Sequence, residues 1–88
     1  MKIVLNKCYG GFSLSEIAIE KLGLSDEYPI INRSDPILLD LVEKDVASGR
    51  YAKLRVVEIP DDATDWEIDE YDGFEVAIYV VDGHIHRV

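Results

Sequence analysis

Two Asp-Gly dipeptides, Asp72-Gly73 and Asp82-Gly83, each separate runs rich in β-branched and aromatic residues. No other feature of the sequence narrows the fold as far. An Asp-Gly pair in that setting favours a two-residue hairpin turn, because the turn needs positive φ at both central residues and its twist matches that of two antiparallel strands. Trp66-Glu67-Ile68-Asp69 alternates apolar with acidic, the pattern of a half-buried strand. Phe74–Val81 and His84–Val88 follow across the two turns. The last third therefore predicts three consecutive antiparallel strands.

The upstream residues add two helices and two more strands. Ile3-Val4-Leu5 reads as a buried strand ended by Gly10-Gly11. Ser13-Leu14-Ser15-Glu16 has the spacing of a capping box, which predicts a helix over Leu14–Leu22 closed by Gly23. Leu24–Asn32 reads as irregular, broken at Pro29, with Ile30-Ile31 as a short strand. Asp35-Pro36 opens a second helix, with Asp35 as N-cap and Pro36 in the first turn, where its missing N–H costs nothing. Its apolar face is Leu38, Leu39, Leu41, Val42 and Val46, and Ser48-Gly49 closes it. Tyr51–Ile59 is a strand that stops at Pro60. The fold class expected is α+β: a small single domain over residues 1–88, an antiparallel sheet of about four or five strands with two helices on one face.

The 88 residues suffice for one modest core. A single cysteine excludes an internal disulfide and a multi-cysteine metal site. The opening is too short and too soon interrupted for a signal peptide, and no apolar run approaches the roughly 20 residues of a membrane-spanning helix. These features predict a soluble protein of a reducing cytoplasm. The net charge is −9, which excludes bulk nucleic acid as a partner, because phosphate contacts need clustered Lys and Arg. That charge is not spread evenly. Up to Val57 the chain holds eight basic and eight acidic side chains, whereas residues 58–88 hold ten acids against Arg87 alone.

Eight of those acids fall between Glu58 and Asp72, uninterrupted by a cation. One reading is a solvated face that keeps an edge strand from aggregating. A second is a recognition surface for a basic partner, built from Asp61, Asp62, Asp65, Glu67 and Asp69 with Trp66 and Tyr71 as aromatic anchors. Ile68 shares a strand face with Trp66, which also suits Trp66 to a core position. A divalent-metal site is the third reading, and the spacing does not follow the calcium-loop pattern.

The electroneutral segment carries a different candidate. Lys7-Cys8-Tyr9-Gly10-Gly11 joins a strand to a helix, and its glycines let backbone N–H groups approach a ligand. Arg33 precedes the second helix start. A small anionic ligand could bridge Lys7, Tyr9, Gly10, Gly11 and Arg33, with Arg87 as a further cation. A tight β-to-α turn that needs glycine for its backbone angles explains the same residues without a ligand. Catalytic signals are thin. Cys8 has Lys7 beside it, and His84 and His86 share a strand face that could hold a metal or supply a base, but no feature brings them to Cys8. No catalytic residue, metal or cofactor is assigned.

Three segments together resemble a known family. Residues Met1–Ser15, reading MKIVLNKCYGGFSLS, resemble the opening of a family of small, functionally uncharacterised proteins of bacteriophages and prophages. Arg33-Ser34-Asp35-Pro36 resembles its R-x-D-P segment. Lys53–Asp62 and Trp66–Gly73, with IPDD and WEIDEYDG, resemble its later motifs. The likeness spans about residues 1–76; the family tends to end in H-R-x-W, where this chain has His86-Arg87-Val88. The resemblance implies a phage or prophage accessory protein in the cytoplasm of a bacterial host, and implies no catalytic residue. It suggests counter-defence by binding. One form is sequestration of a nucleotide-type ligand, with a homo-oligomer interface completing a pocket too large for one chain. The other is an acidic inhibitor whose 58–72 surface blocks a basic host protein such as a nuclease, as a nucleic-acid mimic would.

Overall fold

The computed structural model describes residues 1–24 and 31–88. Five strands and two helices follow in the order β1 (Lys2–Asn6), α1 (Glu16–Leu22), α2 (Pro36–Glu43), β2 (Leu54–Glu58), β3 (Asp65–Tyr71), β4 (Phe74–Val81) and β5 (His84–Arg87). The class is α+β, with all strand pairs antiparallel. The strands form not one sheet but two, a β1-β2 ribbon and a β3-β4-β5 meander.

The ribbon is the middle layer. Val4 and Leu54 are buried against Ala18, Leu38, Leu41 and Val42 of the two helices. Ile3 and Leu5, on the other face of the same strand, are buried against Ala77 of the meander together with Ile59. A strand buried on both faces should read as a continuous apolar run, and Ile3-Val4-Leu5 does so. The helices thus cover one face of the ribbon and the meander covers the other.

Both hairpins form as expected. Asp72 and Gly73 take φ of 52° and 90°, and Asp82 and Gly83 take 50° and 77°. β4 occupies Phe74–Val81 as predicted, and β3 is one residue longer at its start and two at its end than the alternating core. Asp35 accepts from the Ile37 and Leu38 amides at 2.8 and 3.2 Å with Pro36 in the first turn, and Gly23 ends α1 in the left-handed region.

Three boundaries differ from expectation. The cap of α1 is Ser15 rather than Ser13: Ser15 Oγ accepts from the Ala18 amide at 3.1 Å and donates to the Val46 carbonyl at 2.6 Å. Ser13 instead accepts from the Gly49 amide through its backbone carbonyl, and Leu14 bridges Ser48, so these residues are extended and cannot open a helix. α2 ends at Glu43 rather than at Ser48-Gly49, because Asp45 turns to a φ of 58° and leaves Val46 outside the helix, 38% exposed. β2 begins at Leu54 rather than Tyr51. The short strand read at Ile30-Ile31 and the break at Pro29 fall on residues 25–30, outside the described residues, while Ile31 itself lies outside any strand.

The two hairpin glycines offer a controlled comparison. Both have positive φ, but a Cβ on Gly83 would meet open space, whereas one on Gly73 would collide with the Gly11 amide nitrogen. Gly83→Ala is expected to cost about 1 kcal/mol from backbone conformation alone. Gly73→Ala should cost at least twice as much, read as the difference in urea midpoint at unchanged slope.

Candidate functional site

β1 has two edges, and β2 occupies only one of them. In the β1-β2 register the amides of Ile3 and Leu5 face β2, so those of Val4 and Asn6 point the other way. Buried backbone groups must find partners. The Val4 amide donates to the Arg33 carbonyl at 2.8 Å, and the Val4 carbonyl accepts from Arg33 Nη1 at 3.0 Å. The Asn6 amide donates to Glu75 Oε1 at 2.8 Å. Arg33 and Glu75 therefore stand where a third strand would.

They also bind each other. Arg33 Nη1 meets Glu75 Oε1 at 2.7 Å and Nη2 meets Oε2 at 2.9 Å, a bidentate pair that matches the guanidinium fork to the carboxylate plane. The Glu75 side chain is 7% exposed and that of Arg33 21%. Phe12 lies against the guanidinium, 3.9 Å from its ring centroid, and shields the pair from water. Lys7 arrives at the same residue by another route. Its ammonium donates to the Glu75 backbone carbonyl at 2.7 Å and lies 5.1 Å from the Phe74 ring centroid. Val88 pairs with Ala77 at the end of β5, so β5 does not reach that carbonyl, and Lys7 satisfies it instead. Burial holds the Lys7 pKa below the usual lysine range, and the charge of Glu75 opposes part of that shift.

Lys7 and Arg33 thus meet the same residue, Lys7 at the Glu75 backbone carbonyl and Arg33 at its carboxylate, and both acceptors are the chain's own. Gly10 and Gly11 are likewise engaged. A Cβ on Gly10 would collide with the Tyr51 carbonyl, and the Gly11 backbone is packed on Gly73. Tyr9 is largely exposed and packs on Phe74 with ring centroids 5.4 Å apart. Fully buried Asn6 locks the same corner by donating to the carbonyls of Cys8 and Gly73 at 2.9 and 2.7 Å and accepting from the Lys53 amide at 2.8 Å. The helix starts are filled by their own caps, Ser15 and Asp35. Cys8 donates its thiol to the Tyr51 carbonyl. Arg87 is not brought to this cluster: it lies opposite Ile78 on the far side of the meander and pairs loosely with Asp69 at 3.7 Å.

The acidic candidates separate by strand geometry. Directly opposed residues share a face. Since Glu75 and Ala77 are buried toward the ribbon, their partners Glu70 and Ile68 face inward, as does Trp66 opposite Tyr79. His86 completes that row, stacked on Tyr79 with ring centroids 5.1 Å apart, and His84 shares its face. Asp65, Glu67, Asp69 and Tyr71 face outward beside Val80, Ile78, Val76 and Phe74. Asp61 and Asp62 belong to the β2–β3 turn, where Asp61 pairs with the N-terminal ammonium at 3.0 Å. Ile85, 73% exposed, joins Asp65, Trp66, Glu67, Ile78 and Val80 around a shallow groove of about 210 Å³. No described element packs on this outer face. Among the described residues, no three His, Cys, Asp or Glu side chains are placed to hold one metal ion, and no helix is long and apolar enough to cross a membrane.

Comparison of the chain with protein families, curated proteins and solved structures finds no match.

Sequence reasoning missed Glu75 as the partner of both cations, counting it only among the ten acids of residues 58–88. One signal was present: Glu75 stands at the start of the most apolar strand, where a carboxylate needs a buried counter-charge. Glu75→Gln keeps the shape and removes the charge. It is expected to destabilise the fold by about 3 kcal/mol, since it leaves a largely buried guanidinium uncompensated. Removing both partners in Arg33→Met with Glu75→Leu should cost less than the two single changes added together, read as a non-additive shift in unfolding midpoint.

Proposed function

We propose that this protein acts by binding, and that the outer face of the β3-β4-β5 meander is its contact surface for a basic macromolecule. The observation that carries this reading is the pairing of two rows on one uncovered face. Asp65, Glu67 and Asp69 line β3, and Val76, Ile78 and Val80 lie directly beside them on β4. A sheet face meant only for solvent would be polar on every strand. Here the apolar row offers area to bury, and the acidic row sets which partner can bury it. Tyr71 and Ile85, both largely exposed, extend the apolar part at opposite ends. Trp66 also lines the groove, although its strand position faces inward.

This face is a better contact surface than the Lys7–Arg33 corner, because both cations there are already held by Glu75. A small anion would have to displace a buried carboxylate. The resemblance to phage and prophage proteins suggests that the basic partner belongs to a bacterial host, and an acidic face of this kind would compete with nucleic acid for a basic groove.

Charge reversal separates the face from general acidity. In co-purification from a bacterial lysate, Asp65→Lys with Glu67→Lys and Asp69→Lys is expected to lose the bound protein. Asp61→Lys with Asp62→Lys, outside the face, should retain it. The wild-type complex should weaken by at least tenfold as salt is raised toward about 1 M, where the screening length is roughly 3 Å. Equal retention by both variants would overturn the assignment of the face.

A further inference from the structure

The edge of β3 adds a mode of binding to the proposed contact surface. Among the described residues β3 is the outer strand of its sheet, pairs only with β4 and runs seven residues without a bulge or a proline. The two-residue turn makes Tyr71 and Phe74 a hydrogen-bonded pair, so the bonds to β4 come from residues 65, 67, 69 and 71. The backbone groups of Trp66, Ile68 and Glu70 consequently point to the open edge. The Glu70 amide is held by Asp69 Oδ1 at 3.0 Å, and no backbone partner outside β4 reaches Trp66 or Ile68 from the described residues.

Side chains around that edge alternate in character. On the outer face stand Asp65, Glu67 and Asp69, and on the inner face Trp66, 39% exposed, and half-buried Ile68, with exposed Glu70 following them next to the turn. A second copy of the chain would set acid against acid across the seam, which is unfavourable on directly opposed positions. A strand with basic residues on its outer face and apolar ones on its inner face would meet opposite charge on one side and cover Trp66 and Ile68 on the other.

We infer that β3 is a strand-addition site, taking an extended segment of a partner protein in antiparallel pairing, with Lys or Arg at every second position and apolar residues between. This rests on the proposed acidic contact face and specifies how it is used. In that register the apolar residues of the incoming strand lie opposite Trp66 and Ile68 and exchange both backbone hydrogen bonds with them. The basic residues lie opposite Asp65, Glu67 and Asp69 in the non-hydrogen-bonded positions, where side chains approach more closely. Backbone bonds supply affinity, and the alternating side chains supply selection.

A capped seven-residue peptide alternating lysine and valine is the probe, titrated into the whole protein and followed by amide NMR. Binding is expected to slow hydrogen exchange at Trp66 and Ile68 at least tenfold. N-methylation of the valine amides should abolish binding, and N-methylation of the lysine amides should leave it within about threefold. Equal tolerance of both methylations, with binding still lost in the Asp65→Lys, Glu67→Lys, Asp69→Lys variant, would overturn strand addition and keep the acidic face. Absence of peptide binding would also overturn strand addition, while partner capture by wild type and its loss in the triple variant would still support the face. A self-associated dimer whose Trp66 and Ile68 amides are protected without peptide would assign the edge to a second copy instead.

Discussion

The Arg33–Glu75 pair is the constraint on which the two-sheet arrangement depends. A two-stranded ribbon alone is marginal in water, since half of its backbone groups face outward on each side. β1 escapes that fate because it is buried on both faces and its free edge is closed by side chains and a carbonyl instead of a strand. Glu75 comes from β4 and Arg33 from the segment before α2, so one ion pair joins the meander, the ribbon and the approach to the helix. Burial of Ile3 and Leu5 against Ala77 then follows from the same placement. Hydrophobic contact supplies the larger share of the stabilisation, at about 1.5–3 kcal/mol for each fully buried aliphatic side chain. The ion pair decides where that contact occurs.

The pair also changes how the charge distribution should be understood. Ten acids in the last third do not form one acidic surface. Glu75 is neutralised inside, Glu70 faces inward, Asp61 is tied to the N-terminus, and Asp72 and Asp82 occupy left-handed turn positions. What remains as an ordered array on one face is Asp65, Glu67 and Asp69, at alternate positions of a single strand, with Arg87 of β5 on the same face and 3.7 Å from Asp69. Strand geometry sets neighbours in such a row about 6.8 Å apart, an ordered spacing that a flexible acidic loop would not maintain.

The local features were legible in the sequence wherever one residue type dominates the backbone conformation. Asp-Gly turns, Asp35 with Pro36, and Gly23 after Leu22 all act over four residues or fewer, and each was read correctly. The α1 start was misread because Ser13 and Ser15 both fit a capping position, and the choice depends on Ser15 reaching the distant Val46 carbonyl. The split into two sheets was not legible, since both sheets are antiparallel and their strands look alike in composition. The candidate anion corner shows the same limit more sharply. Lys7, Gly10, Gly11 and Arg33 carry the local signs of an anion site, but whether a ligand or a side chain supplies the anion depends on a contact spanning 42 residues.

An acidic edge strand ordinarily serves to prevent association. The alternation on β3 makes that role and a binding role the same device. Like charges at Asp65, Glu67 and Asp69 oppose pairing with another copy of the chain, and they do so only on the outer face. On the inner face Trp66 and Ile68 remain partly uncovered at the edge, which a purely protective strand would not require. Pairing Glu75 with Arg33 serves this arrangement, because an uncompensated carboxylate there would stand directly opposite Glu70, and like charges on opposed positions are unfavourable. The internal pair therefore does more than hold two sheets together: it compensates one of two directly opposed carboxylates on the strands that carry the acidic row.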